Sequence, residues 1–231
     1  ALGALSIPGG GLSSAARLRS IFTHQANVLC CTPTYALRLA EVAKAEGIDL
    51  SDSPVKTIVV AGEPGGSIPA TRRRLEEAWP GATVFDHHGM TEVGPVTYQC
   101  PAQPGILHVL EQAYLPEIID PDTGEPVENG ATGELILTTL GRHGSPLLRY
   151  RTGDLVKTIS DQPCACGRHD LGLDGGILGR ADDMVVVRGV NVYPSAVEEI
   201  VRSVGGVAEY RVKINQADTL TEMSVEVEPE A

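Results

Sequence analysis

The sequence predicts an α/β fold: a parallel sheet flanked by helices, followed by an antiparallel β-subdomain and the start of a small α+β C-terminal domain. Three observations predict it. Up to residue 85, helix-like and strand-like segments alternate one by one, which implies parallel pairing through helical crossovers. From about residue 95, short strand-like runs lie between turns rich in Pro, Gly and Asp, the pattern of an antiparallel meander or barrel. Beyond residue 183, one strand, one helix and two further strands follow a charged, hinge-like segment. The expected divisions are residues 1–98, 99–181 and 182–231.

The elements have local causes. Residues 12–25 have helical periodicity, with Ser13 or Ser14 as N-cap. Residues 27–31 form a short buried strand. Thr32 caps a helix with Pro33 at its first position, and Gly47 stops it. Residues 55–61 (Val-Lys-Thr-Ile-Val-Val-Ala) form a second strand. Residues 67–79 form a helix with Arg72, Arg73 and Arg74 on a solvated face, and residues 83–85 a third strand. In the second part, residues 117–120, 133–139 and 154–159 are strands, and Pro121-Asp122-Thr123-Gly124 is a turn because proline presets φ and glycine accepts positive φ. Residues 184–187, 194–204, 208–214 and 222–227 are strand, helix, strand and strand. The alternation in residues 223–228 reads as a strand awaiting partners.

Composition excludes several classes. The 231 residues carry a formal charge of -12, unsuited to a nucleic-acid surface, which needs basic groups. No apolar run approaches the roughly 18 residues of a membrane helix. Residues 1–12 are apolar but lack a basic start, so they do not read as a signal peptide. Five cysteines, two adjacent (Cys30, Cys31) and two flanking Ala165, make a poor disulfide framework and point to a reduced, cytoplasmic protein with a metal site. Cys30 and Cys31 are expected in the strand core. His24 and His143 read as solvated surface residues.

Four segments carry chemistry. Asp86-His87-His88-Gly89-Met90-Thr91-Glu92-Val93-Gly94 follows a strand, where open α/β sheets bind ligands. It offers a hydroxyl and backbone N–H groups to a phosphate and a carboxylate to a metal accompanying it. Gly62-Glu63-Pro64-Gly65-Gly66-Ser67 lies between strand and helix, where glycines admit a flat ligand and a helix start favours anions. Leu148-Arg149-Tyr150-Arg151-Thr152-Gly153-Asp154 places a carboxylate after a Thr-Gly turn, able to accept two hydrogen bonds from a ribose diol. Gly179-Arg180-Ala181-Asp182-Asp183-Met184 and Arg188-Gly189-Val190-Asn191-Val192-Tyr193-Pro194 form the last. Alone, the first is a weak signal, the second and third read more simply as turns, and the last as a charged linker and a glycine turn.

In this order the four segments resemble the adenylate-forming superfamily of acyl-CoA ligases, most closely its phenylacetate–coenzyme A ligase family, across nearly the whole chain. The resemblance implies that Gly62, Glu63 and Pro64 border an adenine, that Asp86 accepts from its amino group, and that His88 stacks on the ring within the stretch His87-His88-Gly89-Met90. It implies that Thr91 binds the α-phosphate, that Glu92 holds Mg²⁺, and that Asp154 clasps the ribose with help from Arg180. Asp182 would be the hinge of the C-terminal domain, Gly189 would line the CoA pantetheine channel, and Tyr35, Ala61, Gly89 and Pro95 would line the acyl pocket. The family usually has tyrosine where this chain has His88. A pyrophosphate-gripping loop is expected before residue 1 and a catalytic lysine after residue 231. The 231 residues are therefore expected to be the middle of a longer protein, binding AMP weakly and inactive alone.

The implied activity is ATP-dependent carboxylate–CoA ligation on an aryl or arylacetic acid, with ATP, AMP, Mg²⁺, CoA and the small carboxylic acid as ligands. Alternatives are an adenylyltransferase passing the adenylate to another acceptor, and an inactive zinc-stabilised scaffold. The sequence leaves oligomeric state open, a homodimer included.

Structural Zn²⁺ is expected on separate grounds. Cys164-Ala165-Cys166-Gly167 has the form of a zinc knuckle, and a closed tetrahedral site needs two more ligands. Cys100 and His108 supply them, with His169 as the alternative fourth ligand. Three thiolates leave no open position, so the site would be structural.

Overall fold

The computed structural model describes residues 3–159, 163–183, 185–187, 190–217 and 220–229. The first unit alternates as expected: α1 (Ser14–His24), β1 (Val28–Cys31), α2 (Pro33–Ala45), β2 (Thr57–Val60), α3 (Pro69–Ala78) and β3 (Thr83–Asp86). The three strands pair in parallel in the order β1-β2-β3, because each successive strand is reached through a helix rather than a tight turn. Ser13 caps α1 through a bond from the Ala16 amide. The Thr32 side chain caps α2, with Pro33 first in the helix, and Gly47 follows that helix at φ 68°. The core between helices and sheet holds Leu18, Leu39, Ile58, Val60, Leu75, Trp79 and Val84. Buried Trp79 donates its indole N–H to the Ala36 carbonyl at 3.0 Å, so the ring adds apolar contact without an orphaned donor.

Beyond β3, a short antiparallel ladder joins β4 (Gly89–Met90) to β5 (Gly94–Pro95). Then come β6 (Thr97–Gln99), β7 (Ile106–Val109), β8 (Tyr114–Ile119), β9 (Thr132–Thr139), β10 (Tyr150–Thr158) and β11 (Gly172–Arg180). They form one antiparallel sheet in the order β6-β7-β11-β10-β9-β8. Four consecutive strands therefore meander from β8 to β11, and the β6–β7 hairpin joins the β11 edge. A second core of Val96, Leu107, Val109, Leu135, Leu137, Val156 and Leu173 fills this unit.

The last unit has β12 (Val185–Val187), β13 (Val190–Val192), α4 (Pro194–Ser203), β14 (Val207–Ala217) and β15 (Leu220–Pro229). β12 pairs with β13, and β14 with β15. Val197, Val201 and Val207 form its small core. No helix among the described residues is long and apolar enough to cross a membrane.

Several expectations need correction. β1 is not buried: Leu29 and Cys31 pack inward while Val28 and Cys30 are exposed, so Cys30 is no core residue. Cys31 is half-buried, and burial, followed by the charges of Cys30 and Glu63, pushes its thiol up to about 12. Of the three consecutive arginines only Arg73 is exposed. Arg72 turns inward to the Gly66 carbonyl at 2.9 Å, the Gln99 amide oxygen at 2.8 Å and the Val84 carbonyl, and Arg74 donates to the Val207 carbonyl at 3.0 Å. The Thr152-Gly153-Asp154 turn is a bulge inside β10, with Gly153 at φ 75° and the register shifting between Arg151 and Leu155. Gly179 and Arg180 end the strand β11. The strand at residues 223–228 already has a partner, β14.

Candidate functional site

The strand β3 delivers Asp86 to the seam between the two sheets. Its carboxylate is buried beneath the loop of residues 62–68, where Ser67 donates its hydroxyl to Oδ2 at 2.6 Å. Burial raises the pKa of this carboxyl, while the Ser67 hydrogen bond and the nearby Arg72 charge pull it back. The glycines of the loop answer to this crowding. A Cβ on Gly66 would stand 2.5 Å from a Val60 methyl and 2.6 Å from the Asp86 carboxyl carbon. Gly62, at φ 92°, has a backbone conformation other residues resist.

The chain then crosses from one sheet to the other. The His87 amide donates to the Val60 carbonyl at 3.2 Å. The His88 amide donates to the Thr97 hydroxyl at 2.8 Å, and the His88 carbonyl accepts from Val96 and Thr97. These bonds aim the His88 ring at β10. Its Nε2 lies 2.9 Å from Asp154 Oδ2, and both side chains are about nine-tenths buried. The other ring nitrogen, Nδ1, is buried with no hydrogen-bond partner among the described residues.

The β10 bulge positions Asp154. Its amide donates to the Thr152 hydroxyl, and Thr152 donates to the Leu135 carbonyl. Gly153 suits this bulge because its φ of 75° is a backbone conformation that other residues resist. Arg180 places Nη1 3.5 Å from Asp154 Oδ1 and Nε 3.0 Å from Asp182 Oδ1. The Ala181 amide donates to the Gly153 carbonyl at 2.7 Å, tying the start of the C-terminal unit to the bulge. His88, Asp154, Arg180 and Asp182, from three separate parts of the sequence, thus form one chain of contacts.

The hairpin after His88 presents Thr91 and Glu92 to solvent. Tyr114 holds its base by donating to the Val93 carbonyl at 2.7 Å. Gly89 and Pro95 face each other across β4 and β5, and a Cβ on Gly89 would stand 2.7 Å from the Gly94 carbonyl oxygen. Met90 is half-buried against the antiparallel core. Ala61 follows β2, donating to the Cys31 carbonyl.

Other predicted residues are engaged elsewhere. Glu63 accepts from the Thr34 amide at 2.7 Å. With Pro64 it lines a cavity of about 210 Å³ shared with Thr34, Thr71, Glu198 and Tyr210, and His88 and Asp154 do not line it. The Tyr35 hydroxyl lies 3.0 Å from Ser14 Oγ, with Arg17 over its ring. Gly189 lies outside the described residues.

The cysteine cluster converges. One ligand atom from each of Cys100, His108, Cys164 and Cys166 lies within 4.8 Å of all the others. The Cys100 and Cys164 sulfurs are 3.7 Å apart, and Cys166 Sγ is 3.4 Å from His108 Nε2. A disulfide needs about 2.05 Å, whereas zinc bonds of about 2.0–2.3 Å set tetrahedral edges at roughly 3.3–3.8 Å. His108 Nδ1 lies 3.0 Å from the Asp170 carbonyl. A proton held there for that carbonyl leaves the Nε2 lone pair facing Cys166. Tyr98 donates to the Asp170 carboxylate at 2.7 Å. His169 is exposed and outside this group. Asp170 had no distinguishing signal in the sequence, because it enters through its backbone.

Comparison with known proteins gives concordant results. Residues 3–141 match the profile of the AMP-binding enzyme family, and residues 189–231 match that of the AMP-binding enzyme C-terminal domain. Phenylacetate-coenzyme A ligase of Thermus thermophilus is 36% identical over 231 residues, which cover 99% of this chain and 51% of that protein. The chain thus spans about half the length of that relative. The crystal structure of 2-hydroxyisobutyryl-CoA ligase in the postadenylation state with R3-HIB-AMP superposes with a TM-score of 0.86 at 32% identity, covering 97% of this chain and 47% of that one. The same ligase with 2-HIB-AMP and CoA in the thioesterification state covers the same shares at the same identity but scores 0.69. The chain belongs to the AMP-binding enzyme family.

Proposed function

We propose that the protein bearing this chain is an ATP-dependent carboxylate–CoA ligase acting on an aryl or arylacetic acid, phenylacetate being the reference case. The observation that carries the reading is the linked set His88, Asp154, Arg180 and Asp182, standing beside the exposed Thr91–Glu92 turn in a chain of this family. In this reading Asp154 accepts both ribose hydroxyls and Arg180 steadies it. His88 lies against the adenine, Asp86 meets the amino group, and Gly62, Glu63 and Pro64 border the ring. Thr91 donates to the α-phosphate. Asp182 is the hinge of the C-terminal unit, and Gly189 lines the path of the CoA arm. Ala61, Gly89 and Pro95 bound the acyl group, and Tyr35 supports that wall through α1.

The chemistry asks little acid–base work of the protein. A carboxylate oxygen attacks the α-phosphorus of ATP, the bond to pyrophosphate breaks, and an acyl-adenylate results. The CoA sulfur, after losing its proton, then attacks the acyl carbonyl, and AMP leaves with its electron pair. Mg²⁺ would neutralise phosphate charge. Glu92 fits such an ion as one exposed carboxylate, since magnesium is commonly held by one or two carboxylates plus substrate phosphates.

Cys100, His108, Cys164 and Cys166 fit structural Zn²⁺ in donor type and spacing, and a reducing cytoplasm suits three free thiols. The four residues would fasten the β6–β7 hairpin to the turn before β11. Exchange of labelled pyrophosphate into ATP by the full-length protein, with and without phenylacetate, tests the first step. CoA-dependent release of AMP tests the second. Acid-dependent exchange followed by thioester formation is expected. Exchange that continues with no transfer to CoA would favour a different acceptor.

A further inference from the structure

The first turn of α3 begins with Pro69 but lacks a side-chain cap and an acidic residue. Ile68 occupies the N-cap position with no side-chain bond to the helix, and no acidic residue lies in the first turn. Ser67, the adjacent hydroxyl, is committed to Asp86. Arg72, Arg73 and Arg74 follow at once, adding positive charge near the positive end of the helix dipole.

The missing groups come from α4. Glu199 Oε2 accepts from the Ala70 amide at 3.0 Å, and Glu198 Oε1 accepts from the Thr71 hydroxyl at 3.3 Å. Arg74 donates to the Val207 carbonyl at 3.0 Å across the same seam. Glu198 is fixed within its own unit by Arg202 Nε at 3.0 Å and by the Tyr210 hydroxyl. The α3 amide is thus satisfied by a residue 129 positions later in the chain. The whole chain superposes with a TM-score of 0.86 on a ligase in its postadenylation state and of 0.69 on the same ligase in its thioesterification state.

We propose that Glu199 is a positioning residue. By capping α3 it holds the C-terminal unit in the orientation that accompanies adenylate formation, and it releases that amide when the unit turns for thioester formation. The proposal rests on the ligase reading above, and it requires that the two half-reactions respond differently to loss of this carboxylate.

The test uses the full-length protein with Glu199→Ala and Glu199→Gln. Pyrophosphate exchange is expected to fall about three- to tenfold in Glu199→Ala, the effect of losing a cap, and less in Glu199→Gln, which keeps an acceptor. Thioester formation from supplied acyl-adenylate and CoA is expected to stay constant or quicken. Hydrogen exchange should show the Ala70 amide losing protection in Glu199→Ala while β9 amides stay protected. Equal falls in both half-reactions, or unchanged protection of Ala70, would overturn the proposal. Wild-type protein inert in both half-reactions would sink the ligase reading and the catalytic part of this proposal, and Ala70 protection would still decide whether Glu199 caps α3.

Discussion

His88 Nε2 stands 2.9 Å from Asp154 Oδ2, joining the loop after the parallel sheet to the bulge of the antiparallel one. The contact occupies a carboxylate oxygen that a ribose diol would use, and it leaves His88 Nδ1 buried without a partner among the described residues. Such an atom costs about 1–3 kcal/mol. Replacing His88 with Phe removes both the orphaned nitrogen and the hold on Asp154, and keeps a flat ring. AMP is expected to bind about three- to tenfold tighter to His88→Phe by calorimetry. Weaker binding would mean that the imidazole itself bonds the nucleotide.

The proposed zinc site makes a stoichiometric prediction. Elemental analysis of purified protein should find one zinc per chain, lost in Cys164→Ser and in Cys100→Ser. A structural zinc contributes several kcal/mol to folding, so chelation is expected to lower the melting temperature by about 10 °C. Full thermal stability in protein stripped of metal would contradict the assignment.

Gly66 is set by space. Its missing Cβ would meet Val60 and the Asp86 carboxyl well inside contact distance. Gly66→Ala is expected to cost about 1–3 kcal/mol through displacement of those neighbours. Urea unfolding measures it, and a change under about 0.5 kcal/mol would show that the loop yields freely.

Asp86 gives a pH signature. Burial raises its folded pKa above the reference 3.8, so the fold favours the neutral acid. Its contribution is therefore full below that value and is lost as pH rises through the folded pKa. Asp86→Asn can still accept from Ser67 but does not ionise. Its stability relative to wild type should increase as pH rises from 3.8 through that window. A relative stability flat with pH would show that Asp86 is not penalised by burial.

The sequence made some features legible because their causes are local. Thr32, Pro33 and Gly47 frame α2 through capping and backbone chemistry, and the structure agrees at both ends. The convergence of Cys100, His108, Cys164 and Cys166 was legible because the Cys-x-Cys-Gly spacing and a preceding Cys and His follow a donor pattern with few other uses. β11 was missed because Gly172, Gly175, Gly176 and Gly179 dilute its apolar pattern, and glycine disfavours strands in isolation. Thr152-Gly153-Asp154 read as a turn because a bulge and a turn both use glycine at positive φ. Arg72 and Arg74 read as solvated because their acceptors, which include the Gln99 side chain and the Val84 and Val207 carbonyls, lie outside their own helix. The His88–Asp154 contact spans 66 positions and the Glu199–Ala70 contact 129, and no local rule connects such pairs.

The central claim is that Asp154 sits at the floor of an adenosine monophosphate site. Calorimetric titration of full-length protein with AMP, comparing wild type and Asp154→Ala, tests it most directly. Loss of two hydrogen bonds to a charged carboxylate predicts affinity at least about tenfold weaker in the variant. Equal AMP affinity in the two proteins would contradict it.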